Sequence, residues 1–258
     1  FQIMTRLLIG SLIFSLLAVW IIEITISVYF HVDKAWRLTN STIPLPYQIK
    51  HEGGHGTINV LVIGDSIAAG VGASDAESSV HYQFLAKLKQ YEIITVENFS
   101  LSGSLIRDLK EQLDRANGRR YNLILISSMA NDVVEDTSIE KLKKDVETAI
   151  SLAKTIGDRV IWFTPASMKT SYAAPYLIRL FWANRQEKVA VEIAESSERK
   201  GIMFIDLIHS SLSENVAKNP KHYYAPDYFH PNDSAYAEAA EIMFEDSRET
   251  LKNLTNDK

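Results

Sequence analysis

The chain has 258 residues, 46% of them hydrophobic and 23% charged, and a net charge of −5. That is enough apolar material for one sizeable core, and the mild acidity excludes the basic face that nucleic-acid binding requires. The absence of cysteine excludes disulfides, thiolate nucleophiles and cysteine-bound zinc.

The chain begins apolar. From Leu7 to Ile22 it reads LLIGSLIFSLLAVWII without a charge; Glu23 interrupts, and ITISVYF runs on to Phe30. Crossing a bilayer core as a helix takes about 20 apolar residues, and Leu7–Ile26 meets that with its one acid near the end, where a charge costs less than at the midplane. Trp20, Tyr29 and Phe30 suit an interfacial aromatic belt. No A-x-A cleavage site follows, and the run is long for a signal peptide. Residues 1–30 therefore read as an uncleaved transmembrane anchor that partners the chain with a membrane. Arg6 flanks one side and Lys34 and Arg37 the other, so the flanking charges leave the orientation undetermined; the rest of the chain is expected on the extracytoplasmic side.

Residues 31–56, broken by Pro44, Pro46, Gly53 and Gly54, read as a linker. Within it His51-Glu52-Gly53-Gly54-His55 fits H-E-x-x-H, a zinc-protease pattern. That site needs both histidines one turn apart on a helix face. Two interior glycines, each costing a helix roughly 1 kcal/mol, argue against it, so no metal is expected.

From Thr57 onward strands and helices alternate. The β-branched run Thr57–Gly64 is a strand buried on both faces. Ile93–Phe99, Tyr121–Ser127, Arg159–Thr164 and Met203–Leu207 follow as strands. Ser79–Gln90, Leu105–Ala116, Ser138–Thr155, Asn184–Arg199 and Ser234–Leu251 read as the helices between and after them. This pattern predicts an α/β fold over residues 57–258: a three-layer α/β/α sandwich around a five-stranded parallel, flavodoxin-like sheet, preceded by the one transmembrane helix. Ligands of such sheets bind beyond the carboxyl ends of the strands. Ser66, Gly103 and Asn131 fall just past the ends of the first three.

Ser66 there is a candidate nucleophile, although serine at this place is also an ordinary helix cap. In Asp227-Tyr228-Phe229-His230, the spacing lets the carboxylate reach one imidazole nitrogen and leaves the other for a hydroxyl. Gly103 offers an uncovered backbone N–H and Asn131 a side-chain amide, donors of the kind an oxyanion needs. Gly64-Asp65-Ser66-Ile67-Ala68 is not the G-x-S-x-G elbow. Gly70-Val71-Gly72 lacks the third glycine of a dinucleotide fingerprint, so no nucleotide or other cofactor is expected.

The ordered set Gly64-Asp65-Ser66, Gly103, Asn131-Asp132 and Asp227-x-x-His230 resembles the SGNH or GDSL hydrolases over roughly Asn59–Leu251. The resemblance implies Ser66 as nucleophile, His230 as general base and Asp227 as its orienter, with an oxyanion hole from the N–H groups of Ser66 and Gly103 and the Asn131 side chain. Asp65 and Asp132 fall to loop architecture. Met129 stands where that family's third block usually starts with glycine, which makes it a candidate for shaping the substrate pocket. Leu177 and Tyr228, in apolar stretches near the same edge, are further candidate substrate contacts. The expected activity is serine esterase or lipase action on a small-molecule, lipid or glycan acyl ester. A cell-envelope carbohydrate O-acetyl esterase or acyltransferase would use the same residues, and a catalytically silent binding domain on an anchor is the rival of another class.

Overall fold

The structure, a computed structural model, describes residues 2–27, 31, 33–116, 118–252 and 254. Its strands are β1 (Tyr47–Lys50), β2 (Thr57–Gly64), β3 (Ile93–Asn98), β4 (Tyr121–Ser127), β5 (Gly157–Phe163) and β6 (Met203–Ile205). Its helices are α1 (Gln2–Ser27), α2 (Asp33–Ser41), α3 (Ser66–Ala69), α4 (Val80–Leu85), α5 (Leu109–Arg115), α6 (Ala130–Val134), α7 (Ile139–Ile156), α8 (Tyr176–Lys200), α9 (Ser211–Lys218), α10 (Pro220–Tyr223) and α11 (Asp233–Ser247).

The sheet order is β1-β3-β2-β4-β5-β6. β2 to β6 pair in parallel in the expected flavodoxin-like order. β1 is an addition: it pairs antiparallel with β3, Ile49 opposite Ile94. It lies inside the stretch that reads as linker. Four residues with Ile49 buried between exposed neighbours suffice for an edge strand, where the nearby Pro46 takes no place in the ladder.

Strand alternation divides the core. Ile58, Val60 and Val62 of β2 face one layer with α4, α9 and α11, where Phe84, Val216 and Met243 are buried. Leu61 and Ile63 face the other, with α5, α7 and α8, where Leu113, Val146 and Ile193 are buried. The buried central strands are apolar on both faces because both faces are covered. β2 sits between β3 and β4, so the chain reverses its direction of travel across the sheet there. This opens the crevice at the carboxyl ends of the strands.

α1 contains a 23-residue stretch, Met4–Ile26, long and apolar enough to cross a membrane. Leu7, Phe14 and Val19 on it are all more than 60% exposed. Trp20 is exposed as well, while Tyr29 and Phe30 lie outside the described residues. His51–His55 lies in a turn rather than on a helix: the His51 ring bonds the Tyr91 carbonyl at 2.9 Å, and Gly54 packs so closely on Tyr91 that a Cβ there would lie 2.5 Å from its backbone.

Candidate active site

The turn that carries Ser66 follows from Gly64. At φ +144, with the Ser127 carbonyl oxygen 1.9 Å from where a Cβ would stand, only glycine fits. Gln112 braces the turn by accepting from Gly64 N at 2.8 Å and donating to Gly64 O at 3.0 Å. Asp65 caps α3, its Oδ1 accepting from Ile67 N at 3.0 Å, and its Oδ2 reaches Met129 N at 3.4 Å. Burial raises the Asp65 carboxyl to about 6, against the backbone donors Ile67 and Met129 and the nearby His230, which act to lower it.

From 164 residues away, His230 comes to this serine. The Ser66 hydroxyl donates to His230 Nε2 at 3.0 Å, and His230 Nδ1 donates to Asp227 Oδ2 at 2.6 Å. Oδ1 of Asp227 accepts from the backbone N–H groups of Phe229 and His230, both at 3.0 Å. Burial acts to raise the Asp227 carboxyl, but the His230 ring and these two donors outweigh it and hold the group below its ordinary range. Ser66, Asp227 and His230 are all buried. The protonated Nδ1 facing the carboxylate leaves Nε2 as the acceptor, which is the tautomer a base needs.

The loop between Asp227 and His230 is held at a strained residue. Tyr228 has φ +54, which a bulky side chain rarely adopts, and its carbonyl accepts from Ser171 Oγ at 3.1 Å and Ala173 N at 3.2 Å. Gly72 packs beneath the same loop: a Cβ there would lie 2.1 Å from the Pro231 carbonyl oxygen. The glycine pattern that fails as a nucleotide fingerprint thus serves close approach to the histidine loop.

Gly103 lies in the turn after β3 at φ +83, with open space where a Cβ would stand. Asn131, in α6 just past β4, donates from Nδ2 to the Ser104 carbonyl at 2.9 Å, tying the second loop to the third. Asp132 accepts from Ile106 N at 2.9 Å, which joins the same loops one residue on. The three residues singled out for substrate contact have different surroundings. Met129 is buried in the core with Val133 and Leu142. Leu177 is 63% exposed, and the Tyr228 ring packs edge-on against His31, centroids 5.5 Å apart.

A cavity of about 40 Å³ opens at Ser66 and His230, walled by Ala130, Ala166, Met168 and Phe229 among others. A second space of about 30 Å³ shares Ile67, Pro165, Ala166, Tyr224 and Pro231 with it. Phe229 and Tyr224 belong to an aromatic stretch visible in the sequence. Met168 and Ser171 carried no signal beyond following the β5 strand.

An α/β/α sheet with a Ser–His–Asp hydrogen-bonded chain at its carboxyl edge belongs to the hydrolase class. Residues 62–238 match the GDSL-like lipase/acylhydrolase family. The chain belongs to that family and is an ester-bond hydrolase, as its four sequence blocks imply. No curated relative matches it. Among solved structures it is similar to Axe2, an acetylxylan esterase from Geobacillus stearothermophilus, at 19% identity and TM-score 0.56, over 80% of this chain and 99% of that one. It is also similar to the psychrotrophic esterase EstA from Pseudoalteromonas sp., at 16% identity and TM-score 0.57, over 76% and 99%. At such identities the likeness is one of fold.

Proposed function

We propose that this protein is a membrane-anchored serine esterase that removes a short acyl group through an acyl-enzyme on Ser66. The observation that carries the reading is the continuous hydrogen-bonded path Ser66–His230–Asp227, built from opposite ends of the sequence. Ser66 Oγ attacks the ester carbonyl while its proton passes to His230 Nε2, and Asp227 stabilises the resulting imidazolium. The carbonyl oxygen, now an anion, is received by the N–H groups of Ser66 and Gly103 and by the amide proton of Asn131 that Ser104 does not use. As the tetrahedral intermediate collapses, the alcohol leaves with the proton from His230. Water then attacks the acyl-enzyme, losing its proton to His230, and the acid departs. Each step closes its proton balance on His230, so these residues suffice for it.

The cavity supports the short acyl group. At about 40 Å³, the space beside Ser66 is small. That suits an acetyl group better than a fatty chain. Its apolar walls suit a methyl group, and the alcohol then lies on the open side. The acetyl-ester reading is favoured on this ground, and the name of the similar acetylxylan esterase is consistent with it. α1 supplies the anchor.

The test pairs a fluorophosphonate probe with a chain-length series. The probe is expected to label wild type and not Ser66→Ala, and p-nitrophenyl acetate to be turned over faster than the octanoate. Labelling that survives Ser66→Ala removes the nucleophile assignment. A preference for octanoate removes the short-acyl assignment and leaves the nucleophile standing.

A further inference from the structure

α8 opens with Tyr176-Leu177-Ile178-Arg179-Leu180-Phe181, and not one of these six residues is buried. Leu177 is 63%, Tyr176 55% and Phe181 48% exposed, and Tyr172 in the preceding loop is 45% exposed. A helix start facing water alone would carry polar residues here, and four large exposed side chains this close together, Tyr172, Tyr176, Leu177 and Phe181, call for something to cover them. The single charge in the run is laid over rings: the Arg179 guanidinium lies 4.2 Å from the Tyr172 centroid and 5.7 Å from that of Tyr176. Aromatic rings, aliphatic side chains and a cation on one strip are what a lipid headgroup boundary selects.

The position of α1 says what covers the strip. Its apolar stretch Met4–Ile26 has 23 residues, about 35 Å of helix at 1.5 Å per residue, against about 30 Å of hydrocarbon. Its last turns therefore stand at the bilayer surface. Glu23, three residues before the end of that stretch, accepts from the backbone N–H of Tyr176 at 3.2 Å. The strip is thus level with the point where the span leaves the hydrocarbon. Just beyond α1, His31 packs edge-on against Tyr228, in the loop that carries Asp227 and His230. The strip joins the site itself, because Ser171 of the loop before α8 both lines the Ser66 cavity and bonds the Tyr228 carbonyl.

We infer that Tyr172, Tyr176, Leu177 and Phe181 form a docking strip that lies in the headgroup layer of the bilayer spanned by α1, so that the Ser66 cavity opens against the lipid surface. The inference rests on the anchor reading above and deepens it. The enzyme then works on short acyl esters presented at the membrane surface rather than on those in bulk solution.

The chain has no cysteine, so single cysteines report depth cleanly in the full-length protein. Ile13→Cys marks the middle of α1, Leu177→Cys the strip, and Val191→Cys an exposed point farther along α8. Each carries an environment-sensitive fluorophore in vesicles of phosphatidylcholine and phosphatidylglycerol, with nitroxide lipids quenching at the headgroup or at mid-chain. The expected result is mid-chain quenching at Ile13, and headgroup quenching at Leu177 several-fold above that at Val191. Phe181→Cys repeats the strip measurement should Leu177→Cys fold poorly. Ile13 deep with Leu177 no more quenched than Val191 overturns the docking and keeps the anchor. Leu177 quenched with Ile13 outside removes the anchor and with it the proposed placement beside a spanning α1. Neither in lipid overturns both, and a Leu177→Cys disulfide dimer in place of quenching assigns the strip to a second copy and overturns the docking.

Discussion

Asp227 holds His230 at two points: its Oδ2 receives the imidazole at 2.6 Å and its Oδ1 the histidine's own backbone N–H at 3.0 Å. One carboxylate therefore sets both the tautomer of the imidazole and the path of the loop that carries it. Asp227→Asn keeps the size and one carbonyl acceptor, but presents either an N–H to the ring or an N–H to two backbone donors. The expected result is a fall in kcat on the order of 10³–10⁴ with short p-nitrophenyl esters. Asp227→Ala is expected to lower stability as well, because it leaves buried donors without partners, at about 1–3 kcal/mol each. A fully active Asp227→Asn enzyme would contradict the proposed mechanism.

The glycine beneath that loop allows a separate test of position. Gly72 and Gly53 both have positive φ, +95 and +80, so alanine strains the backbone at either. They differ in surroundings: a methyl group on Gly72 meets the Pro231 oxygen at 2.1 Å and the His230 Cβ at 3.2 Å, whereas Gly53 has nothing within 4 Å. Gly53→Ala is expected to cost about 1–2 kcal/mol of stability and no activity. Gly72→Ala is expected to cost more stability and to reduce kcat at least about tenfold, as a misplacement on the order of 1 Å can cost 10². Urea unfolding and kcat on the two variants decide it; equal kcat would show that the loop absorbs the displacement.

The sequence made the β2–β6 frame readable because each strand is a short β-branched or apolar run followed by a helix with its own period. The candidate site residues stood out for a related reason: Gly64 ends β2, and Ser66, Gly103 and Asn131 sit just past strand ends. β1 was hidden by its length and by Pro44 and Pro46, since an edge strand needs only one buried side chain, Ile49. The reach of α8 back to Tyr176 was hidden because its first two turns face outward and carry no amphipathic signal. The walls of the Ser66 cavity were hidden most of all. Met168 and Ser171 gain their meaning only when the loop after β5 folds over His230, a contact that no local pattern encodes, while Met129, conspicuous in the sequence, is directed into the core.

Two buried groups outside the hydrogen-bonded path give opposite acid responses. His81 joins β1 to the helix of Ser66: its ring bonds Tyr47 OH at 2.7 Å and Asn98 Nδ2 at 3.3 Å, and Asn98 donates to Ala68 O at 2.9 Å. Burial lowers His81 to about 4. The unfolded chain therefore takes up a proton below its ordinary 6.5 that the folded chain refuses, and stability falls by about 3 kcal/mol as pH drops from about 6.5 to 4. Asp65, raised to about 6 by burial, binds its proton more readily folded than unfolded, so its contribution falls instead as pH rises from about 4 to 6, again by about 3 kcal/mol. The difference in unfolding free energy between wild type and His81→Gln should change with pH in one direction over this window, and that for Asp65→Asn in the other. Urea titrations at pH 4.5, 5.5 and 7 check both signs, and parallel curves for either variant would refute that assignment.

Met168 lines the space at Ser66, and under the short-acyl proposal it is expected to set acyl preference. It is 5% exposed, and its backbone N–H donates to Gln186 Oε1 at 2.8 Å, so its buried side chain forms one wall of that space. Truncation to alanine removes three heavy atoms from that wall without touching Ser66, Asp227 or His230. Met168→Ala is expected to lower stability by about 2–5 kcal/mol. It is also expected to shift the ratio of kcat/KM for butyrate over acetate esters upward by at least about 10-fold, since butyrate adds two methylenes and even one in an apolar pocket is worth about 1–3 kcal/mol. Met129→Ala, in the core, is expected to lose stability on the same scale with the ratio unchanged. The two variants assayed side by side on the acetate and butyrate esters distinguish a wall of the acyl site from a core residue. A shift in Met129→Ala and none in Met168→Ala would reverse the assignment.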